Sequence, residues 1–357
     1  VHTGRINTID AAERVLADGH ADMVGMARAH IADGEILSKA REGRTDEIRP
    51  CIGGNDCISR RYVEGLPFGC AVNPHAAKEL DGPWGPVARP RRLMVVGGGP
   101  AGMELAALAA EGGHAVDLWE AADELGGQLR VAAAAPSYDQ YSRYLDWQER
   151  RLERLEVKIR LGECADADAV ITTGTDVVAV ATGATPHRPL IKGIHGENVF
   201  DIREVLRGDV SVGQRVLVVA QDDHLPPLSV TDFLSERGHD VTMVYATTGP
   251  GQLLGRYILG GILGRLHSRG VVFRFMEEVT EIAPDRVRVA NVYSRCEEEL
   301  TGFDSVVLAC GGDADAELYD QLRTRMPEVH LLGDAFAPRR LVSATRQAYE
   351  LAKVLRA

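Results

Sequence analysis

Gly97, Gly99 and Gly102 follow the apolar run Leu93-Met94-Val95-Val96, and Glu120 stands about one strand-helix-strand unit further on. The chemistry this suits is pyrophosphate and ribose binding. Gly97 permits a tight turn, Gly99 lets backbone approach a phosphate, and Gly102 lets helix and strand pack closely. A helix opening at Pro100-Ala101-Gly102 turns amide donors and a positive dipole end toward the phosphates, and Glu120 accepts from both ribose hydroxyls. A second chemistry lies upstream, where Cys51, Cys57 and Cys70 are spaced Cys-x5-Cys-x12-Cys. Three thiolates in an irregular segment suit a soft metal such as an iron–sulfur cluster. On spacing alone, zinc or free buried thiols are the better assignment.

A second strand-turn-helix unit fails as a dinucleotide site. After Arg215-Val216-Leu217-Val218-Val219 the three glycine positions hold Ala220, Asp222 and Leu225, with Asp223 adjacent. Two carboxylates repel a pyrophosphate and side chains block its approach, so this half is expected not to bind NAD(P)H.

The elements that position these residues follow from patterning. The first unit is strand 93–96, an alanine-rich helix and strand 115–120; the second is strand 215–219, helix 228–237 and strand 240–245. Apolar strands at 176–184 and 304–311 end at small residues and mark crossings between nested domains. Upstream, residues 5–50 predict a helix capped by Thr8, a buried strand over 21–26 and a helix after Asp33, a fragment of a β/α repeat. Residues 51–85 have little periodicity, as when a ligand supplies the order, and Gly82-Pro83-Trp84-Gly85-Pro86 with Ala88-Arg89-Pro90 marks a linker. Trp147 to Leu155, with Arg150, Arg151 and Arg154, reads as a solvated amphipathic helix, and His114 and His239 as turn residues.

With 357 residues, 45% of them hydrophobic, the chain can bury two or three cores. A formal charge of -12 disfavours nucleic acid and anionic membrane surfaces, leaving small cofactors as the expected partners. The sequence contains no apolar run near the roughly 20 residues that cross a bilayer. A protein without a leader, and cytoplasmic, is expected. Its six cysteines suit a local metal site better than a disulfide framework. The chain opens on Val1 in what reads as mid-domain, so truncation, processing or a split gene is in view.

Asp22-Met23-Val24-Gly25-Met26-Ala27-Arg28, Ile31-Ala32-Asp33, Ile48-Arg49-Pro50-Cys51-Ile52-Gly53, Cys57-Ile58-Ser59-Arg60 and Cys70-Ala71-Val72-Asn73-Pro74 resemble the barrel-to-cluster junction of one family. That family comprises the trimethylamine, dimethylamine and histamine dehydrogenases and the 2,4-dienoyl-CoA reductases. The cysteine spacing resembles the amine dehydrogenases more closely. The resemblance covers essentially the whole chain and implies an α/β protein in four parts. Residues 1–50 would be the last strands of a (β/α)8 FMN barrel, and 51–85 an iron–sulfur segment. Residues 86–189 with 305–357 would be an FAD- or ADP-binding Rossmann-like domain, and 190–304 a second, NAD-type one with a degenerate fingerprint.

The resemblance also implies site residues. Gly25 and Arg28, with Gly4 and Arg5 of the preceding strand, would meet the FMN phosphate, making a partial FMN site. Cys51, Cys57 and Cys70 match three of four cluster ligands; the fourth position is Gly54, which leaves a three-iron cluster, a four-iron cluster with another ligand, or none. Gly127 and Gln128 would lie beside the flavin or ADP, Thr182 and Gly183 on the crossing strand. Gly333 and Asp334 would close on the sugar and pyrophosphate. The implied activity is electron relay from FMN to cluster to an external acceptor such as an electron-transfer flavoprotein, after oxidation of an amine-like substrate. Six barrel strands are lacking, so catalysis would need more than this chain, and a partner chain supplying them or a homo-oligomer is expected. The alternatives are an NAD(P)H-dependent 2,4-dienoyl-CoA or enoate reductase-type flavoenzyme and a non-catalytic ADP-binding module.

Overall fold

The computed structural model describes residues 1–82, 84–254 and 256–356; Pro83 of the expected linker lies outside them. The chain opens with β1 (His2–Thr3) and β2 (Val24–Gly25), a parallel pair in which Thr3 lies opposite Gly25. Between them runs α1 (Ile9–Ala17), its first turn closed by the Thr8 hydroxyl accepting from the Ala11 amide. The strand expected over 21–26 is shorter, and a helix absent from the sequence reading, α2 (Ala27–Ala32), precedes Asp33. After it come α3 (Ile36–Arg41) and α4 (Asp56–Tyr62), the latter in the cysteine segment.

Two parallel sheets follow. The first has the order β17-β6-β3-β4-β5, with β3 (Arg92–Val96), β4 (Ala115–Trp119), β5 (Lys158–Arg160), β6 (Val177–Val180) and β17 (Val329–Leu331). Alternation along β3 sends Leu93 and Val95 to one core and Met94 and Val96 to another. Leu93 and Val95 meet α5 (Pro100–Glu111), α7 (Asp139–Arg154) and α13 (Leu341–Leu355). Met94 and Val96 meet α8 (Ala167–Thr172) and α12 (Glu317–Leu322).

The second sheet has the order β11-β10-β9-β15-β8: β8 (Val199–Asp201), β9 (Arg215–Ala220), β10 (Asp240–Tyr245), β11 (Val272–Phe275) and β15 (Ser305–Ala309). Helices α9 (Ile202–Arg207), α10 (Pro226–Glu236) and α11 (Arg256–Ser268) cover one face. The other face meets an antiparallel sheet of β12 (Glu277–Ile282), β13 (Arg286–Asn291) and β14 (Glu297–Thr301). The expected return to the first domain at residue 305 is therefore corrected. Ser305–Ala309 pairs with β9 and β8 inside the second sheet. The crossing is instead the antiparallel pair β7 (Ala184–Pro186) and β16 (Gly312–Ala314). Helix α6 (Gly127–Ala133) and the turn after it, in the first half by sequence, send Val131, and then Ala135 and Tyr138, into the second half's core. Among the described residues no helix is long and apolar enough to cross a membrane.

Helix α7 corrects the sequence reading in part. Arg150 and Arg154 are exposed as expected, but Arg151 is buried along with Trp147 and Leu152. Arg151 donates from Nη1 to Glu104 at 3.0 Å and from Nε to Glu111 at 2.9 Å, both on α5. Gln148 Nε2 donates to Glu104 at 2.6 Å. Burial alone would raise the Glu104 pKa, but Arg151, Arg49 and these donors hold it below its usual 4.5. The ion pair's contribution is thus complete above that value and is lost as pH falls through the lowered one. Replacing Arg151 with alanine strands a carboxylate with no solvent exposure, and is expected to cost about 3–5 kcal/mol in urea unfolding at neutral pH. The double change with Glu104→Gln should recover part of that loss; additive losses would show that the pair is not coupled.

Candidate functional site

The turn after β3 is built by exclusion of side chains. Gly97 has φ +107°, and a Cβ there would run into the Ala181 carbonyl of the crossing strand. A Cβ on Gly102 would strike the Gly97 carbonyl, which seats the first turn of α5 directly on the loop. Gly99 differs: nothing lies within 4 Å of its Cβ position, so it opens to the cleft. Pro100 begins α5 where its missing N–H costs nothing. Glu120, at the end of β4, accepts from the Gly98 amide at 2.6 Å and from the Ala122 amide at 2.8 Å, which aims its carboxylate across the turn.

The other expected residues converge on this turn. A Cβ on Gly127 would lie 3.2 Å from the Gly99 Cα, and one on Gly333 would lie 2.7 Å from the Ala101 Cβ. The Thr182 hydroxyl donates to the Asp315 carbonyl at 2.7 Å, and Gly183 turns at φ +89°. Asp334 accepts the Arg339 amide at 3.0 Å; burial lifts its pKa against the pull of Arg339. Gln128 accepts from Arg203 Nε at 3.2 Å. Arg203 and Arg340, both facing the cleft, carry no local sequence signal; only the packing of α9 and α13 brings them there.

Gly97, Gly99, Ala101, Glu120, Gly127, Gln128, Thr182, Gly183 and Asp334 line one continuous cleft of about 1830 Å³ together with Arg5 and Arg28. That exceeds the roughly 300–1,000 Å³ of a single small-ligand pocket. Gly4, Gly25, Gly102 and Gly333 are not on its lining, though Gly102 and Gly333 pack directly against the turn that is. Gly25 is required where β2 meets the Thr3 side chain. Arg5 follows β1 and Arg28 follows β2 at the same ends of these parallel strands.

Cys51, Cys57 and Cys70 line a second, small cavity with Arg28, Gly54, Asn55 and Asp56. Left-handed turns at Gly53 (φ +70°) and Asn55 (φ +56°) curl the chain around it. Burial pushes the Cys57 thiol up and takes Cys70 to about 11, with the Cys51 thiol adding to both. Among the described residues no three His, Cys, Asp or Glu side chains are set to hold a metal ion. The three thiols thus share one cavity without forming a site for a single ion. Arg28 donates to Asn55 at 2.8 Å and lines both cavities, joining them.

The second half has no such cradle. Asp222 accepts from the His224 amide at 2.9 Å, and its carboxylate lies 2.7 Å from the His224 ring. The Tyr245 hydroxyl lies 2.7 Å from both the Asp222 carbonyl and the Asp223 carboxylate. The turn is thus held by its own side chains and presents carboxylates to the cleft.

A family profile for NAD(P)-binding Rossmann-like domains matches residues 95–142. The NADH oxidase of Thermoanaerobacter brockii is 34% identical over 99% of this chain and 54% of its own length. The N,N-dimethylglycine/sarcosine dehydrogenase of Chromohalobacter salexigens is 34% identical over 90% of this chain and 48% of its own. The solved histamine dehydrogenase of Rhizobium sp. 4-9 superposes with a TM-score of 0.89 at 26% identity, covering 99% of this chain and 57% of that one. The chain belongs to the trimethylamine, dimethylamine and histamine dehydrogenase family. It spans about half the length of the curated relatives it matches.

Within this family member, Gly102 and Gly99 should separate by stability. Gly102→Ala, which forces helix and turn apart, is expected to lose about 1–3 kcal/mol, whereas Gly99→Ala should stay within about 1 kcal/mol of the parent. Equal melting temperatures for the two variants would contradict the close approach of α5 to the turn.

Proposed function

We propose that this chain is the nucleotide-binding and electron-relay portion of a flavin-dependent oxidoreductase acting on an amine-like substrate. One observation carries this: the thiol-lined cavity and the cleft of the glycine cradle are neighbours that share a wall, with Arg28, Asn55 and Asp56 on both. Cys51, Cys57 and Cys70 would hold an iron–sulfur cluster. The turn at Gly97, Gly99 and Gly102, with Glu120 and Asp334, would hold ADP or the ADP part of FAD. Gly4, Arg5, Gly25 and Arg28 would meet an FMN phosphate, a partial site here. A flavin and a cluster, when bound, supply transfer of electrons one at a time.

The chain's own contribution is position and charge. The α5 amides face the pyrophosphate, Glu120 takes the ribose hydroxyls, and Arg5 and Arg28 offset phosphate charge. Electrons would leave to an external acceptor such as an electron-transfer flavoprotein. A homo-oligomer, or a partner chain with the remaining barrel strands, would complete the substrate pocket. A pyridine-nucleotide reductase is the second reading, favoured by the 34% identity to an NADH oxidase. Asp222 and Asp223 in the second turn oppose it.

The test is to denature anaerobically purified protein and chromatograph what it releases. An adenine nucleotide in near-stoichiometric amount is expected, retained roughly ten- to hundredfold more weakly by Glu120→Ala. Gly99→Ala should release none while keeping its fold. Protein free of any adenine compound would end this reading, and rapid bleaching of bound flavin by NADH or NADPH would favour the reductase.

A further inference from the structure

Three sulfur donors and an added oxygen donor line the small cavity, and the oxygen donor lies in contact with the place a side chain at 54 would begin. A Cβ built on Gly54 would lie 3.1 Å from Oδ2 of Asp56, so this carboxylate oxygen reaches the point from which a side chain at 54 would leave the backbone. Asp56 lines the same cavity as Cys51, Cys57 and Cys70. Its neighbour Asn55 is committed elsewhere, its amide oxygen accepting from Arg28 at 2.8 Å. The cation nearest Asp56 is Arg340 at 3.7 Å, and that guanidinium is already met by Glu64 at 2.6 Å. Among the described residues Asp56 accepts no side-chain hydrogen bond from another residue, so a largely buried carboxylate, paired only loosely with Arg340, stands on the wall between the thiol cavity and the cleft.

We propose that Asp56 is the fourth ligand of the cluster, binding one iron through a carboxylate oxygen while the three thiolates bind the others. This rests on the cluster assignment made above. The left-handed Asn55 turn brings position 56 back beside position 54, and the chain therefore keeps four anionic donors although one cysteine is missing. A carboxylate is a harder donor than thiolate, and it holds a sulfide-bridged iron less firmly. The Asp56-bound iron is then the one that leaves first on oxidation and returns first with ferrous iron.

The experiment is anaerobic reconstitution of the whole chain with ferrous iron and sulfide, read by iron and sulfide content, Mössbauer spectra and EPR after ferricyanide. The parent chain should hold a four-iron cluster with one spectroscopically distinct iron, lost on oxidation and regained with ferrous iron. Asp56→Asn and Asp56→Ala should stall at the three-iron form, with re-uptake of the last iron roughly tenfold slower. Gly54→Cys should hold four irons whatever stands at 56, and the double variant Gly54→Cys, Asp56→Ala shows that the change at 56 leaves folding and assembly intact. Four irons and an unchanged distinct site in Asp56→Ala would overturn the assignment and leave solvent as the ligand. Iron uptake by Gly54→Cys but not by the parent would likewise overturn it and leave the cluster assignment standing. No iron uptake by either would remove both.

Discussion

The contact on which the arrangement rests is the buried ion pair of Glu104 and Arg151. It locks α5, whose first turn forms the nucleotide cradle, to α7. Trp147 on the same face of α7 donates from its indole to the Glu47 carbonyl at 2.9 Å and is sandwiched by Arg49 and Arg151. Arg49 stands two residues before Cys51 and donates to Asn73 at 2.8 Å, three residues after Cys70. One buried polar network therefore spans the cradle and both ends of the thiol segment. A pair sealed from water is weak evidence for net stability, yet losing one partner is costly, so the geometry tolerates little drift.

Helix α13 makes the second tie. The Thr345 hydroxyl donates to the Ala71 carbonyl at 2.9 Å, while the Arg340 cap reaches Glu64 beyond α4. The cysteine segment has little regular structure of its own and takes its shape from α5, α7 and α13 together. Its order in this chain is thus partly imposed from outside, in addition to whatever a ligand contributes.

The two halves show how one strand-turn-helix plan diverges. In the first, absent side chains let backbone meet backbone and leave amides facing a cleft. In the second, Asp222, Asp223, His224 and Tyr245 satisfy one another across the turn. The substituted residues bond to one another across a turn that still faces the cleft. Meanwhile Val131, Ala135 and Tyr138, beyond the first half's glycine loop, pack into the second half's core and join the halves through apolar burial.

Where chemistry depends on neighbours along the chain, the sequence was sufficient. The glycine turn, Glu120, the lost second fingerprint and the Thr8 cap follow from φ preferences, dipoles and charge over a few residues. It was insufficient where the deciding partner is distant. Arg151 looked solvated because α7 carries many charges, and only Glu104, 47 residues earlier, makes burial affordable. Strand 305–309 was assigned to the wrong sheet because an apolar strand does not name its partner; β9 and β8 settle that through their register. With Gly54 at the fourth position the sequence left Asn55 and Asp56 as possible stand-ins, because spacing alone cannot show which side chain turns back. The left-handed turn at Asn55, fixed by folding, sets Asp56 beside Gly54.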